Sequence, residues 1–311
     1  MRRRGRKHHS GYGNKRSAAW LLPAVISAVC LMAVAVSTIF CIRSFSELSE
    51  KEKQITMLTK EADEAKSQMK KLQKQAKDAE EEARAYQQAQ EEKEEQEAKK
   101  RAAEGKRKVY LTFDDGPTER TPEILDILKQ YDVKATFFTL AFEDQKEMYN
   151  RIVNEGHTLA MHSYTHKYDQ IYSSMSAFKK DVTRLHDFLK EVTGVDCNIY
   201  RFPGGSSNAV SDVDMKDCMK WVNSKGYRYF DWNAMTGDAE GKGYTAKQMV
   251  NNVVENMKDC GDTVVVLMHD GVDKQTTVEA LPKLIQKLQD MDCVLLPIDE
   301  DTELVQHVSV K

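Results

Sequence analysis

Two adjacent carboxylates, Asp114 and Asp115, stand in the stretch Thr112-Phe113-Asp114-Asp115-Gly116-Pro117. The apolar run Val109-Tyr110-Leu111 before it and Thr121-Pro122-Glu123 after it place the pair where a strand ends and a loop begins. Side chains alternate along a strand, so the two carboxylates point different ways and can hold different roles, one gripping a metal and the other moving protons. Asp-Gly-Pro is also ordinary turn chemistry, so the hexapeptide alone reads equally well as a surface turn. Further along, His162 and His166 in His162-Ser163-Tyr164-Thr165-His166 would meet on one face if that loop enters a helical turn. Together with Asp115 they make two imidazoles and one carboxylate, which suits zinc or iron(II) with positions left for water and substrate. Arg201, in Arg201-Phe202-Pro203-Gly204-Gly205-Ser206, is expected to pair with Asp114, fixing its rotamer and lowering its pKa, while the glycines let backbone N–H groups approach a substrate oxygen. Asp231-Trp232 sets an acid beside a large aromatic wall, although Trp232 could equally be core. Finally, Val264-Val265-Val266-Leu267-Met268 delivers His269, well placed to protonate a leaving group.

Such residues need a scaffold that presents strand ends together. Strands are predicted at 108–113, 134–140, 157–161, 198–203, 227–232, 263–269 and 293–298, with helices between them at Pro122–Tyr131, Ala177–Thr193, Asp212–Lys225, Ala246–Lys258 and Val278–Met291. About seven strands alternating with helices imply an α/β fold on a parallel sheet, open or closed into a barrel, with its chemistry at the C-terminal strand ends. The candidate residues fall at those ends.

The N-terminal third differs. Residues 1–16 hold seven Arg or Lys and no acid, and 17–42 hold no charge at all. That apolar segment exceeds the roughly 20 residues a helix needs to cross a bilayer, and the flanking positive charge predicts a cytoplasmic N-terminus with everything after Arg43 outside the cell membrane. A cleaved signal peptide, with Ala33-Val34-Ala35 as a weak cleavage site, is the rival reading. Residues 43–105 lack Pro and Gly until Gly105 and are rich in Lys, Glu, Gln and Ala. Apolar positions there step alternately by three and four, through Leu48, Ile55 and Met69 on one row and Leu58, Leu72 and Tyr86 on the other, as in a coiled coil. Alanine fills much of the seam, so the expectation is a weak homodimer or a single solvated helix, either serving as a spacer. The catalytic part is then 106–311.

The motifs TFDDGP (112–117), HSYTH (162–166), RFPGG (201–205), DW (231–232) and LMHD (267–270) resemble, in order, those of the polysaccharide deacetylases, the NodB-homology or carbohydrate esterase 4 family. The resemblance spans about Lys106 to Leu304. It implies a distorted (β/α) barrel and metal-dependent removal of N-acetyl groups from N-acetylglucosamine polymers, with zinc as the first choice and cobalt, iron(II) or manganese as alternatives. By this resemblance Asp115, His162 and His166 would hold the metal, Asp114 would be the general base and Arg201 would orient it. The Gly204 N–H would help stabilise the oxyanion, Asp231 would tune His269 as the general acid, and Trp232 and Leu267 would line the acetyl pocket. Many family members carry a bulky residue where Gly204 stands, which implies a more open sugar-facing wall here.

The implied substrate is cell-wall glycan, most directly peptidoglycan N-acetylglucosamine, because a membrane-tethered enzyme on a spacer fits a fixed substrate. Chitooligosaccharide deacetylation, acetyl-xylan esterase activity and non-catalytic glycan binding are the alternatives. Charged residues make up 31% of the chain but leave a net charge of only -3, so nothing points to nucleic acid. Cys197, Cys218, Cys260 and Cys293 form no close Cys-x-x-Cys pair, which disfavours a thiolate zinc site. Cys260 and Cys293 each precede a strand and are the expected disulfide if one forms.

Overall fold

The computed structural model describes residues 21–102 and 104–310. The basic tail and the first residues of the apolar segment, 17–20, lie outside the described residues. By its contacts the chain divides into two units, Met1–Gln88 and Ala89–Lys311.

Helix α1 (Leu21–Ala102) is unbroken: it contains no Gly, its one proline, Pro23, falls in the first turn where no intrahelical N–H bond is lost, and strong helix formers dominate the rest. It contains a stretch long and apolar enough to cross a membrane, a test that an N-terminal signal sequence also passes. Its apolar side chains, among them Leu31, Val36, Phe40, Leu48, Ile55 and Leu72, are exposed.

The second unit is built on an entirely parallel sheet: β1 (Lys108–Asp114), β2 (Thr136–Thr139), β3 (Thr158–Met161), β4 (Ile199–Tyr200), β5 (Arg228–Tyr229), β6 (Ala234–Met235), β7 (Thr263–His269) and β8 (Val294–Leu295). The strand order is β5-β4-β3-β2-β1-β7-β6, with β8 beside the start of β1. Around it lie α2 (Thr121–Gln130), α3 (Lys146–Asn154), α4 (Tyr168–Ile171), α5 (Met175–Thr193), α6 (Met215–Ser224), α7 (Ala246–Asn256) and α8 (Gln275–Asp290). The expected strand–helix alternation is present, and α3, α4 and β6 add to the predicted elements.

Burial on both faces explains why β1 and β7 read as continuous apolar runs. Val109, Leu111 and Phe113 face the helices, within the large cluster that includes Leu125 and Leu281. The alternate face carries Tyr110, which joins Phe138, Ala160, Ile199, Phe230, Val265 and Ile298 in a second, inner cluster. Residues from β2, β4 and β7 can share one inner cluster only if the sheet curls round it. β5 and β6 end the sheet. The segment between them crosses to β7, where Asn233 N–H donates to Val265 O and Asn233 Oδ1 accepts from Val265 N–H. This is a curled, distorted barrel rather than a flat sheet.

The expected Cys260–Cys293 disulfide is absent. All four cysteines of this unit are free thiols. The cause lies in the sheet: Lys108 of β1 pairs with Thr263 of β7 on one edge and with Val294 of β8 on the other. Strands two positions apart are separated by about 10 Å, beyond the reach of a disulfide.

Candidate active site

Tyr110, Thr112 and Asp114 share the inward face of β1, so alternation alone aims Asp114 at the barrel mouth. Its carboxylate is buried, and Oδ1 accepts a hydrogen bond from Arg201 Nη1 at 2.7 Å. Arg201 is wholly buried as well. Its remaining donors go to Thr112 Oγ1, Phe230 O and Asp231 O, and its guanidinium stacks 4.0 Å from the Phe138 ring centroid. The predicted pairing is therefore present and Arg201 lowers the Asp114 pKa as expected, but burial outweighs it. Burial raises the Asp114 pKa by more than Arg201 and His269 lower it, so the carboxyl is a better proton acceptor than an exposed aspartate.

Asp115 lies one residue beyond the strand, with φ at 77°, a left-handed conformation that aspartate tolerates better than most residues. That turn aims its side chain back toward the histidines. Asp115 Oδ1 is 3.3 Å from His166 Nε2 and 3.7 Å from His162 Nε2. One ligand atom from each of the three residues lies within 4.8 Å of the others. Asp115 Oδ1 is also buried without a hydrogen-bond partner, which would be costly unless a cation engages it. The donor set and its convergence fit a divalent metal.

The two histidines converge without the helical turn that was the condition for their meeting on one face. Residues 162–167 form a non-helical loop in which His166 has φ 55°. The loop is shaped by Asp181, a buried carboxylate on α5. Asp181 accepts from Ser163 Oγ (2.8 Å), Tyr164 N–H (2.9 Å) and Thr165 Oγ1 (3.3 Å), and Ser163 Oγ in turn accepts from His166 N–H (2.9 Å). His162 Nδ1 lies 2.8 Å from Arg201 O, a contact in which it donates and Nε2 keeps its lone pair for a ligand. Burial pushes the His162 pKa down to about 3, keeping the ring neutral. Asp181 falls within the apolar stripe Phe178, Val182, Leu185 and Leu189. An acid in that register was the available signal for this residue.

His269 ends β7, paired in register with Asp114 across from it. Its partner is not Asp231, as the resemblance implies, but Asp238. Asp238 Oδ1 is 2.9 Å from His269 Nδ1, and Oδ2 accepts from His269 N–H and Thr277 Oγ1, both at 2.8 Å. Burial alone would lower the His269 pKa, but the bond and charge of Asp238, with Asp114 and Asp115, raise it to about 9. Asp231 is used elsewhere: it accepts from Ser206 N–H, Ser206 Oγ and His307 N–H, tying the Gly-Gly loop to the C-terminal segment. The chain between β5 and β6 crosses the barrel, which carries Asp231 away from His269 and returns Asp238 to it.

Leu267 is buried two residues before His269, so the two share a face of β7. Trp232 is half-buried and packs edge-on against His307 at 4.8 Å. Gly204 has φ 77°, and a Cβ there would lie 3.0 Å from Tyr168 Oη. The wall beside Gly204 is thus not opened by the missing side chain; Tyr168 occupies that space.

His157 is structural, its Nδ1 accepting from Ala135 N–H and its pKa lowered by burial to about 3. His186 lies at the surface against Asp196.

The family profile described as polysaccharide deacetylase matches residues 101–227. YheN of Bacillus subtilis is 35% identical over 60% of this chain, which spans 65% of that protein, slightly under two thirds of its length. A peptidoglycan-N-acetylglucosamine deacetylase of Bacillus cereus is 33% identical over 58% of this chain and 81% of its own length. Among solved structures, the catalytic domain of peptidoglycan N-acetylglucosamine deacetylase from Eubacterium rectale is 38% identical, covers 66% of this chain and 94% of that one, and superposes with a TM-score of 0.62. With the curled parallel sheet and the five motifs gathered at its strand ends, these matches establish that the chain belongs to the polysaccharide deacetylase, or carbohydrate esterase 4, family.

Proposed function

We propose that the protein hydrolyses N-acetyl groups of cell-wall glycan, first of all those of peptidoglycan N-acetylglucosamine. The observation that carries this reading is the unpartnered Asp115 Oδ1 converging with His162 and His166 beside an Arg201-held Asp114. Relatives named for peptidoglycan N-acetylglucosamine support the substrate, while others named chitin deacetylase and xylanase/deacetylase mark the neighbouring chemistries.

Asp115, His162 and His166 would hold the metal, with zinc the best match to two imidazoles and one carboxylate. Such an ion supplies Lewis acidity, which acidifies water and polarises the acetyl carbonyl. Asp114 Oδ1 is engaged by Arg201, which leaves Oδ2, 3.9 Å from His162 Nε2, to take the proton of the attacking water. The water oxygen bonds to the acetyl carbon, and the Gly204 N–H donates to the oxyanion that develops there. As the C–N bond breaks, His269 Nε2 gives its proton to the departing amine, Nδ1 being held by Asp238. Acetate and a free amino sugar result. Leu267 and Trp232 form apolar walls for the acetyl group. The apolar part of α1 anchors the protein in the cell membrane and the remainder of that helix spaces the domain from it, with weak self-association along the alanine-rich seam.

The test is acetate release from N-acetylated peptidoglycan and from chitooligosaccharides by the purified protein. Activity that stops with a chelator and returns with a divalent metal is the expected result. No acetate from any N-acetylated glycan, with metal supplied, would sink this reading.

A further inference from the structure

We propose that Tyr168 is a glycan-binding residue, its ring and hydroxyl forming the wall of the substrate groove in the space that Gly204 leaves free beside His166. The inference rests on the deacetylase reading and specifies which residue grips the sugar next to the reacting acetamide.

Tyr168 opens α4, two residues after His166, and its ring stands edge-on to the His166 imidazole with centroids 5.5 Å apart and planes at 87°. On its other side the phenol presses on the Gly-Gly loop. A Cβ built on Gly204 would meet Tyr168 Oη at 3.0 Å and Tyr168 Cε1 at 3.2 Å. That loop is itself fixed: Pro203 O accepts from Tyr172 Oη and from Asn208 Nδ2. The base of α4 is fixed too, by buried Ile171 and by Tyr172, whose ring leans on Tyr168 at 6.0 Å. The phenol is therefore held between a candidate metal ligand and the backbone expected to receive the oxyanion.

It is only half-buried, and among the described residues no hydrogen bond engages its hydroxyl. Tyrosine offers a flat apolar face and a hydroxyl that both donates and accepts, the combination a pyranose requires, with its C–H face and its ring hydroxyls. Half-exposed and without a protein partner, the hydroxyl can exchange water for a sugar hydroxyl. Glycine at 204 suits the same geometry, because its φ of 77° disfavours a side chain and a Cβ there would press on the phenol, which would have to give by a few tenths of an ångström. The two positions act as one unit.

Kinetics of the full-length protein in detergent on penta-N-acetylchitopentaose test this directly. Tyr168→Phe, which keeps the ring and the fold, should raise KM about 3- to 10-fold, the scale of one neutral hydrogen bond, with kcat within about twofold. Tyr168→Ala should raise KM further. Gly204→Ala should also raise KM, but much less when combined with Tyr168→Ala, because backbone strain is common to both backgrounds and only the clash with the phenol is lost. KM within about twofold of wild type for both tyrosine variants overturns the proposal. So does a loss that follows weakened zinc affinity in a chelator competition, which would make Tyr168 a support for His166 instead. Should the wild-type protein release no acetate, the deacetylase reading falls, and calorimetric titration with the same oligomer still decides. Weaker binding by Tyr168→Ala supports the proposal, whereas equal binding, or none by wild type, overturns it.

Discussion

Asp115, His162 and His166 lie on loops, while Asp114 and His269 are the last residues of neighbouring strands. The first group is placed by backbone conformation and a local hydrogen-bond relay: left-handed φ at Asp115 and His166, and the Asp181–Ser163 bonds under the histidine loop. The second group is placed by the sheet itself and tuned by buried partners, Arg201 for Asp114 and Asp238 for His269. Loop placement lets three side chains converge on one point, which strand alternation and a roughly 4.8 Å strand spacing make difficult. Strand placement gives low mobility and a low-dielectric setting in which a charged partner shifts a pKa strongly. Damage to the two halves should therefore show in different observables.

The largest effect is expected at Asp114. Asparagine there still accepts from Arg201 but takes no proton, so kcat should fall roughly 10²- to 10⁴-fold while bound metal stays stoichiometric. The thermal midpoint should also fall, because Arg201 keeps its charge in a buried site without a counter-ion. Retained activity, or loss of metal in step with activity, would erase the division between the two halves. Next comes Asp181→Ala, which touches no reacting atom. Loosening the loop that aims His162 and His166 should weaken metal affinity about 10- to 100-fold, read by competition with a chromophoric chelator. Activity should recover at high metal concentration. An unchanged affinity would mean that the loop holds its shape without Asp181.

Legibility in the sequence follows the same division. β1 and β7 could be read because strands buried on both faces leave continuous apolar runs, and their ends announced Asp114 and His269. β6 spans only Ala234–Met235, too short for any periodicity to register. The four-residue spacing of the histidines is visible and the two rings do converge, but without the helical turn that was the condition for it. What closes that loop is a tertiary contact from α5, which no local pattern encodes. The disulfide expected from two cysteines before two strands failed for a similar reason, since sheet order puts β1 between them and sequence order does not reveal it. Gly204 suggested an open wall because one position was read alone, whereas Tyr168 fills the space from the start of α4.

Asp231 and Asp238 give the smallest and most discriminating contrast, because both are buried acids following β5 and only one meets His269. With a pKa of about 9, His269 is protonated, and able to act as an acid, at all lower pH values. Activity limited by this group should be full below that value and disappear as pH rises through it. In Asp238→Asn the carboxylate that raises the pKa is gone and burial still lowers it, so the alkaline limb of kcat/KM should move from about 9 toward or below the ordinary imidazole value near 6.5. Asp231→Asn should leave that limb in place and show itself instead in a lower thermal midpoint, since its bonds to Ser206 and His307 hold the C-terminal segment. If the limb moves in Asp231→Asn and stays in Asp238→Asn, the strand-end half of the site is tuned from the other side of the barrel. The contrast between locally held candidate metal ligands and partner-tuned strand ends would then have to be redrawn around Asp231.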